Sequence, residues 1–289
     1  MASTLTAKDF ATTTPSWWCP GCGDFGVIAS LKQAAADMGL DPKNTAFISG
    51  IGCSGKISGY FHSYAFHGVH GRALPVATAV KLANKDLTVI AAGGDGDGYA
   101  IGAGHFMHAV RRNPDVTYIV MDNQTYGLTK GQSSPTSALG YVTGTSPSGN
   151  PDAPINGLAV ALAAGATFIA RGFSSEPKAM TELIKAAIAH SGFAIVEIMS
   201  PCVTFNKVNT YKWFKENVYH LSDVADYDAK NRAKAFDVLT QSGKIPLGII
   251  YTEIRPTLEA LTIKDAPAIA SVDIESGDAR YAGIQEAYR

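Results

Sequence analysis

Apolar residues in this chain fall into short runs of strand length, separated by longer stretches in which apolar positions recur every three or four residues. Two runs stand out, Leu87-Thr88-Val89-Ile90-Ala91-Ala92 and Val116-Thr117-Tyr118-Ile119-Val120-Met121. Neither alternates with polar residues, which is the mark of strands buried on both faces. Tyr99 to Arg112 between them reads as a helix, closed by Asn113-Pro114-Asp115. Upstream, the pattern predicts a helix from Gly23 to Asp37, with Phe25, Ile28, Leu31 and Ala35 on one face, ended by Gly39. A buried strand from Thr45 to Gly52 follows, then a helix of small residues from Ala73 to Asn84 with Pro75 near its start.

Downstream, Ser133 to Pro154 is rich in Ser, Thr, Pro and Gly, with only Leu139 and Tyr141 to bury, and reads as a long loop or a lid. Asn156 to Ala164 is helical, Thr167 to Arg171 a strand, Ser175 to His190 an amphipathic helix, and Phe193 to Met199 another strand. Alternating elements of this kind predict an α/β fold, a mainly parallel sheet with helices on both faces. Residues 206–215 read as a peripheral arm, Val224 to Leu239 as a helix, Ile245 to Tyr251 as a strand, and Ala266 to Arg289 as a tail. The chain divides on this reading into a binding domain over residues 1–215 and a C-terminal extension, 216–289, packed on the core or on a partner protein.

The two leading strands end in chemistry. Gly93-Gly94-Asp95-Gly96-Asp97-Gly98 follows the first and Asp122-Asn123-Gln124-Thr125-Tyr126-Gly127 the second. The carboxyl edge of a parallel sheet is where ligands sit. Glycines let backbone N–H groups approach a phosphate. Asp95, the Asn123 amide oxygen and a carbonyl near Thr125 are hard oxygen ligands of the kind Mg²⁺ takes. The Gly-Asp-Gly triplet alone is equally compatible with an ordinary nucleotide loop or a bare turn; its pairing with Asn-x-x-Tyr-Gly is what gives it weight.

Composition narrows the classes. Hydrophobic residues make up 46% of the 289 and charged residues 17%, with a net charge of −1. That balance points away from nucleic acid or an anionic membrane as a partner. No apolar stretch approaches the ~20 residues of a membrane span, and Met1 to Lys8 lacks the blocks of a signal peptide. A soluble cytoplasmic protein with reduced thiols is expected. Its four cysteines, Cys19, Cys22, Cys53 and Cys202, all fall in loops or at strand ends. Four thiolates hold either a tetrahedral zinc or a [4Fe–4S] cluster. A thioredoxin-like dithiol at Cys19 and Cys22 lacks the preceding βαβ pattern. His62, His67 and His70 have neither the spacing nor a companion carboxylate for a metal site.

Gly94-Asp95-Gly96, with Asn123 28 residues after Asp95, resembles the diphosphate motif of thiamine-diphosphate enzymes. The longer pattern, through Ile101-Gly102 and on to Leu128-Thr129-Lys130-Gly131-Gln132, resembles one branch of them: the β subunit of 2-oxoacid:ferredoxin oxidoreductases. Trp18-Cys19-Pro20-Gly21-Cys22-Gly23, Gly52-Cys53-Ser54 and Pro201-Cys202 match the same family, and the likeness runs from about Trp18 to Trp213.

The resemblance implies a thiamine-diphosphate-binding fold and oxidative decarboxylation of a 2-oxoacid with CoA to acyl-CoA and CO2, reversible when reductant is strong, with electrons passing to ferredoxin. It implies Mg²⁺ on Asp95, Asn123 and the Thr125 carbonyl, and cofactor contacts from Ile51, Gly52, Ser54, Gly94, Gly96, Asp97, Gly127 and Leu128. His70 becomes a phosphate donor, with His62 and His67 left structural. The cysteines become ligands of a [4Fe–4S] cluster, which also suits the chemistry, because oxidising a decarboxylated 2-oxoacid one electron at a time needs a nearby acceptor.

The glutamate that activates the cofactor comes, in this family, from an α subunit, so the chain is expected to work only in a heterodimer, or a dimer of heterodimers. Lys56 and Lys130 are the candidate catalytic cations, suited to a substrate carboxylate. Lys130 stands where many pyruvate-acting relatives carry a glycine, which implies a second substrate carboxylate, as in 2-oxoglutarate. A pyruvate-type enzyme, a non-redox thiamine-diphosphate enzyme and a zinc-stabilised interaction protein are the rivals.

Overall fold

In the computed structural model the predicted strands and helices assemble around one eight-stranded sheet. The structure describes residues 5–241, 243–264, 267, 268 and 286, so the expected tail lies, those last positions apart, outside the described residues. The strands are β1 (Thr45–Ser49), β2 (Tyr64–His67), β3 (Thr88–Gly94), β4 (Thr117–Asp122), β5 (Phe168–Phe173), β6 (Ala194–Met199), β7 (Val218–His220) and β8 (Ile245–Thr252). They lie in the order β2-β1-β3-β4-β6-β5-β8-β7, and only β5 with β8 is antiparallel.

The unbroken apolar runs are explained by what covers them. Ile90 and Ala92 of β3 and Ile119 and Met121 of β4 face α1 (Asp24–Asp37) and α5 (Pro177–Ala189), through Val27, Leu31, Met180 and Ile184. The alternate residues, Val89, Ala91, Tyr118 and Val120, face α2 (Ala73–Ala83), α3 (Ala103–Arg112), α4 (Gly157–Ala164) and α7 (Arg232–Thr240). Each large aliphatic side chain so buried contributes about 1.5–3 kcal/mol relative to exposure. The α/β fold with helices on both faces is therefore observed.

Three expectations change. The helix from Tyr99 begins as a π-helical turn, Gly96–Ile101, before α3 proper, and α3 ends at Asn113 in the left-handed conformation (φ 57°). The helix expected over 224–239 is confined to α7, because Asp226 has φ 58° and Asn231 caps the helix through Lys234 N. Residues from the expected arm form α6 (Tyr211–Asn217), whose Phe214 is wholly buried against Phe173, Met199 and Leu247. The strand β2 has no counterpart in the sequence pattern: all four of its residues are exposed, Tyr64 to 66% and Phe66 to 53%. Among the described residues no helix is long and apolar enough to cross a membrane.

Candidate functional site

The carboxyl ends of β1, β3 and β4 open into one cleft of about 80 Å³. Loop 51–54, His70, the turn after β3 and the loop after β4 form its walls. From the first come Ile51, Gly52, Cys53 and Ser54; from the third Gly94, Asp95, Gly96 and Asp97; from the last Asn123, Thr125, Gly127 and Leu128. The sequence motifs thus converge on one place. Tyr126, which the motifs leave without a role, packs its ring on Gly96, where any side chain would overlap it.

Asp97 is the clasp of this cleft. Its buried Oδ1 accepts from Ile51 N at 2.9 Å, Gly71 N at 2.8 Å and His70 Nδ1 at 2.7 Å. One carboxylate oxygen therefore ties three wall segments together. A carboxylate only accepts, so Nδ1 of His70 carries a proton and Nε2 is turned away from the clasp.

Asp95, at the end of β3, is also buried. Its Oδ2 accepts from Thr136 Oγ1 at 2.7 Å, and the same hydroxyl stands 2.8 Å from Asp122 Oδ1. Burial pushes the Asp95 carboxyl up to about 6, against the lowering effect of hydrogen bonds from Ser134 and Thr136. Burial, then the charges of Asp95 and Glu197, holds Asp122 well above the usual carboxylate range. Both carboxyl groups meet at one hydroxyl, which has a single proton to give, and the hard oxygen of Asp95 at the cleft is a donor that fits Mg²⁺. Asn123 Oδ1 accepts from Thr125 N at 3.0 Å, Thr125 Oγ1 donates to Gln132 O at 3.0 Å, and Asn206 Nδ2 donates to Asn123 O at 3.1 Å. The loop is thus fixed by its own polar groups. Sequence reasoning misses Thr136 and Asp122, because the segment after Gln132 has no periodicity to read.

The cysteines gather beside this loop. The turn Cys22 N to Cys19 O (3.0 Å) closes the knuckle, and Gly23 N to Pro201 O (3.2 Å) docks it on the segment before Cys202. Trp18 Nε1 donates to Cys53 O at 2.7 Å. A methyl on Gly127 would lie 3.4 Å from Cys53 Sγ and 3.5 Å from Cys202 Sγ, so both sulfurs flank one residue of the cleft wall. Burial, then the charges of Asp24, Cys202 and Cys19, push the Cys53 thiol up to about 12. Burial, then Asp24, Cys53 and Cys202, raise Cys22 well above its usual range. Each sulfur is thus within electrostatic reach of others, and ionising them together calls for a positive centre, a fit to thiolate-ligated metal. Among the described residues no three His, Cys, Asp or Glu side chains are closed up as a ready-made ion site.

The two lysines lie elsewhere. Lys56 stands with its Nζ 5.9 Å from the Trp17 ring centre and lines a different cavity, with Tyr60 and His67. Lys130 is exposed on the rim loop with φ 79°, a left-handed conformation that glycine adopts without strain. His67 Nδ1 lies 2.7 Å from Gly55 O, inside the 54–60 turn.

Comparison with known proteins follows the same lines. Residues 50–198 match the family described as "Thiamine pyrophosphate enzyme, C-terminal TPP binding domain", and residues 202–264 match the family of the C-terminal part of the pyruvate ferredoxin oxidoreductase beta chain. The chain is 43% identical over 273 residues to the "2-oxoacid:ferredoxin oxidoreductase subunit beta" of Sulfolobus sp, covering 89% of this chain and 90% of the relative. It is 46% identical over 199 residues to the "2-oxoglutarate oxidoreductase subunit KorB" of Mycobacterium tuberculosis, covering 69% of this chain and 53% of that one. Among solved structures, it is similar to the 2-oxoglutarate:ferredoxin oxidoreductase of Magnetococcus marinus with 2-oxoglutarate, coenzyme A and succinyl-CoA bound (TM-score 0.88, 43% identity, 91% of this chain and 90% of that chain).

Proposed function

Because the chain belongs to the β subunits of the 2-oxoacid:ferredoxin oxidoreductases and carries their thiamine pyrophosphate-binding domain, we propose the following division of labour. Asp95 and Asn123 hold Mg²⁺ through their side chains and Thr125 through its carbonyl. Cys19, Cys22, Cys53 and Cys202 hold a [4Fe–4S] cluster. The complete enzyme converts a 2-oxoacid, 2-oxoglutarate by preference, and CoA to acyl-CoA and CO2, and hands the electrons to ferredoxin. When bound, thiamine diphosphate supplies the carbanion stabilisation that decarboxylation requires.

The chain's own residues bind and orient. Asp97 stands behind the His70 ring, so the imidazolium form presents Nε2–H to a phosphate oxygen. The glycines after β3 let backbone approach the same anion. A cleft of about 80 Å³ is far below the ~300–1,000 Å³ of sites that enclose a ligand. This supports a partner α chain that closes over the cofactor and supplies the carboxylate this chain lacks.

The observation that carries this reading is Gly127, a cleft residue on which a methyl would lie 3.4 Å from the sulfur of Cys53, itself in the cleft wall, and 3.5 Å from that of Cys202. Electron transfer needs that adjacency; a non-redox enzyme does not. Iron and sulfide analysis with visible absorption, on enzyme co-produced with its α chain and purified without oxygen, tests it. Four irons per β chain are expected, and zinc or no metal at full activity rules the cluster out. For the substrate, Lys130→Gly should relax the loop by about 1 kcal/mol while lowering the preference for 2-oxoglutarate over pyruvate. An unchanged preference removes Lys130 from substrate selection.

A further inference from the structure

Behind the loop after β4 lies a second cavity, of about 200 Å³, that the reading above leaves unused. Asp122 and Gln124 face it from the loop, Asn156 and Gly157 from the start of α4, Arg171 from β5 and Glu197 from β6, with Lys244 at its rim.

Arg171 gives the cavity its chemistry. Its side chain is 9% exposed, and its Nε donates to Glu197 Oε2 at 2.7 Å. The other carboxylate oxygen, Oε1, accepts from Tyr99 OH at 2.9 Å. Glu197 is therefore occupied on both sides. A guanidinium has five N–H donors in a planar fork; the terminal amino groups of Arg171 have no partner among the described residues. These amino groups are not among the buried unpaired atoms of the described residues; they open onto the cavity, where an acceptor from outside the chain can reach them. The same space receives the first turn of α4. Asn156 Oδ1 caps Ala159 N at 3.1 Å, and the N–H groups of Gly157 and Leu158 at the helix start have no partner among the described residues. The nearby Asp122 carboxyl is engaged with Thr136 Oγ1 and Gln124 N.

We propose that this cavity is a binding site for a small oxyanion, a carboxylate or phosphate group, gripped by the Arg171 fork and the first turn of α4, with Lys244 drawing it in. Its volume suits a phosphate ion or a carboxylic acid of a few carbons and excludes a nucleotide. The site is separate from the cofactor cleft but shares a loop with it. Asp122 and Gln124 face the cavity, while Asn123 and Thr125 face the cleft. An anion bound behind the loop thereby bears on the segment that carries two of the proposed magnesium ligands.

Titration calorimetry of the cofactor-loaded α/β complex with inorganic phosphate and with malonate, against chloride at matched ionic strength, tests the site. Saturable binding of one ion per β chain is expected from at least one probe, and which one responds separates phosphate from carboxylate. Lys244→Glu, an exposed change, should weaken that binding at least tenfold. The paired change Arg171→Met with Glu197→Gln should abolish it; if that pair fails to fold, Lys244→Glu decides. No saturable heat from either probe up to tens of millimolar overturns the proposal. So does binding that survives Lys244→Glu undiminished, since it then belongs to the cofactor cleft.

Discussion

The two sides of the loop after β4 are built in opposite ways. In front, the cleft takes its walls from short contiguous motifs, 51–54, 94–97 and 123–128, around the buried carboxyl groups of Asp95 and Asp97. Behind, the cavity is assembled from Asn156, Arg171, Glu197 and Lys244, each on a different element, around a buried Arg171–Glu197 ion pair whose terminal guanidinium amino groups have no hydrogen-bond partner among the described residues. The front exists because backbone must approach a ligand closely, and glycine marks such places in a sequence. The rear is made by side chains that meet only after folding. Local motifs reveal the first kind of site and are silent about the second.

The sharpest way to break this contrast is at the sulfurs. Cys53→Ser or Cys202→Ser should reduce iron in the anaerobically prepared enzyme to background and take 2-oxoacid-dependent ferredoxin reduction with it. Near-stoichiometric iron in both variants would detach the cysteines from the front site. Next in size is Asp95→Asn, which removes a hard anionic ligand. Magnesium-dependent cofactor affinity, followed by calorimetry, should fall by about 100-fold, and a change under threefold would show that the metal sits elsewhere.

Thr136→Val strips the hydroxyl shared by Asp95 and Asp122 without touching a ligand. A loss of about tenfold in the same affinity is expected, as for other groups that orient ligands, with Thr136→Ser restoring most of it. Equal loss in the valine and serine variants would reduce Thr136 to a packing residue.

The smallest effect belongs to a residue on neither side. His190 is buried, its Nε2 2.9 Å from Thr167 Oγ1, and burial holds its pKa below the usual 6.5. The folded pKa lies under the unfolded one, so the stabilisation is complete above 6.5 and is lost as pH falls through the folded value. Denaturant melts should show this slope below neutrality, and His190→Gln should flatten it without altering cofactor or anion binding.

The sequence was legible where burial or backbone geometry left a trace. Strands β1, β3, β4, β5 and β6 read correctly because both their faces are covered, and their runs are apolar without a gap. The edge strand β2 carried no trace, since Tyr64 to His67 are all exposed. The pairing of β8 with β5 was equally hidden, because antiparallel addition depends on a partner far back in the chain. The glycine loops announced the cleft. Thr136 lay in a segment without periodicity, and the direction of Lys56, toward Trp17, is set by a tight turn whose side-chain orientation no spacing rule reports.

The bare rim at β2 also governs how this polypeptide behaves in a tube. Tyr64 and Phe66 project from a terminal strand whose outer backbone is open to another strand, and a net charge of −1 gives copies almost no mutual repulsion. Concentrated by itself, the polypeptide is set up to coagulate edge to edge. Whatever shields that rim acts as a solubiliser, and a preparation made without it reports on sticking before it reports on chemistry.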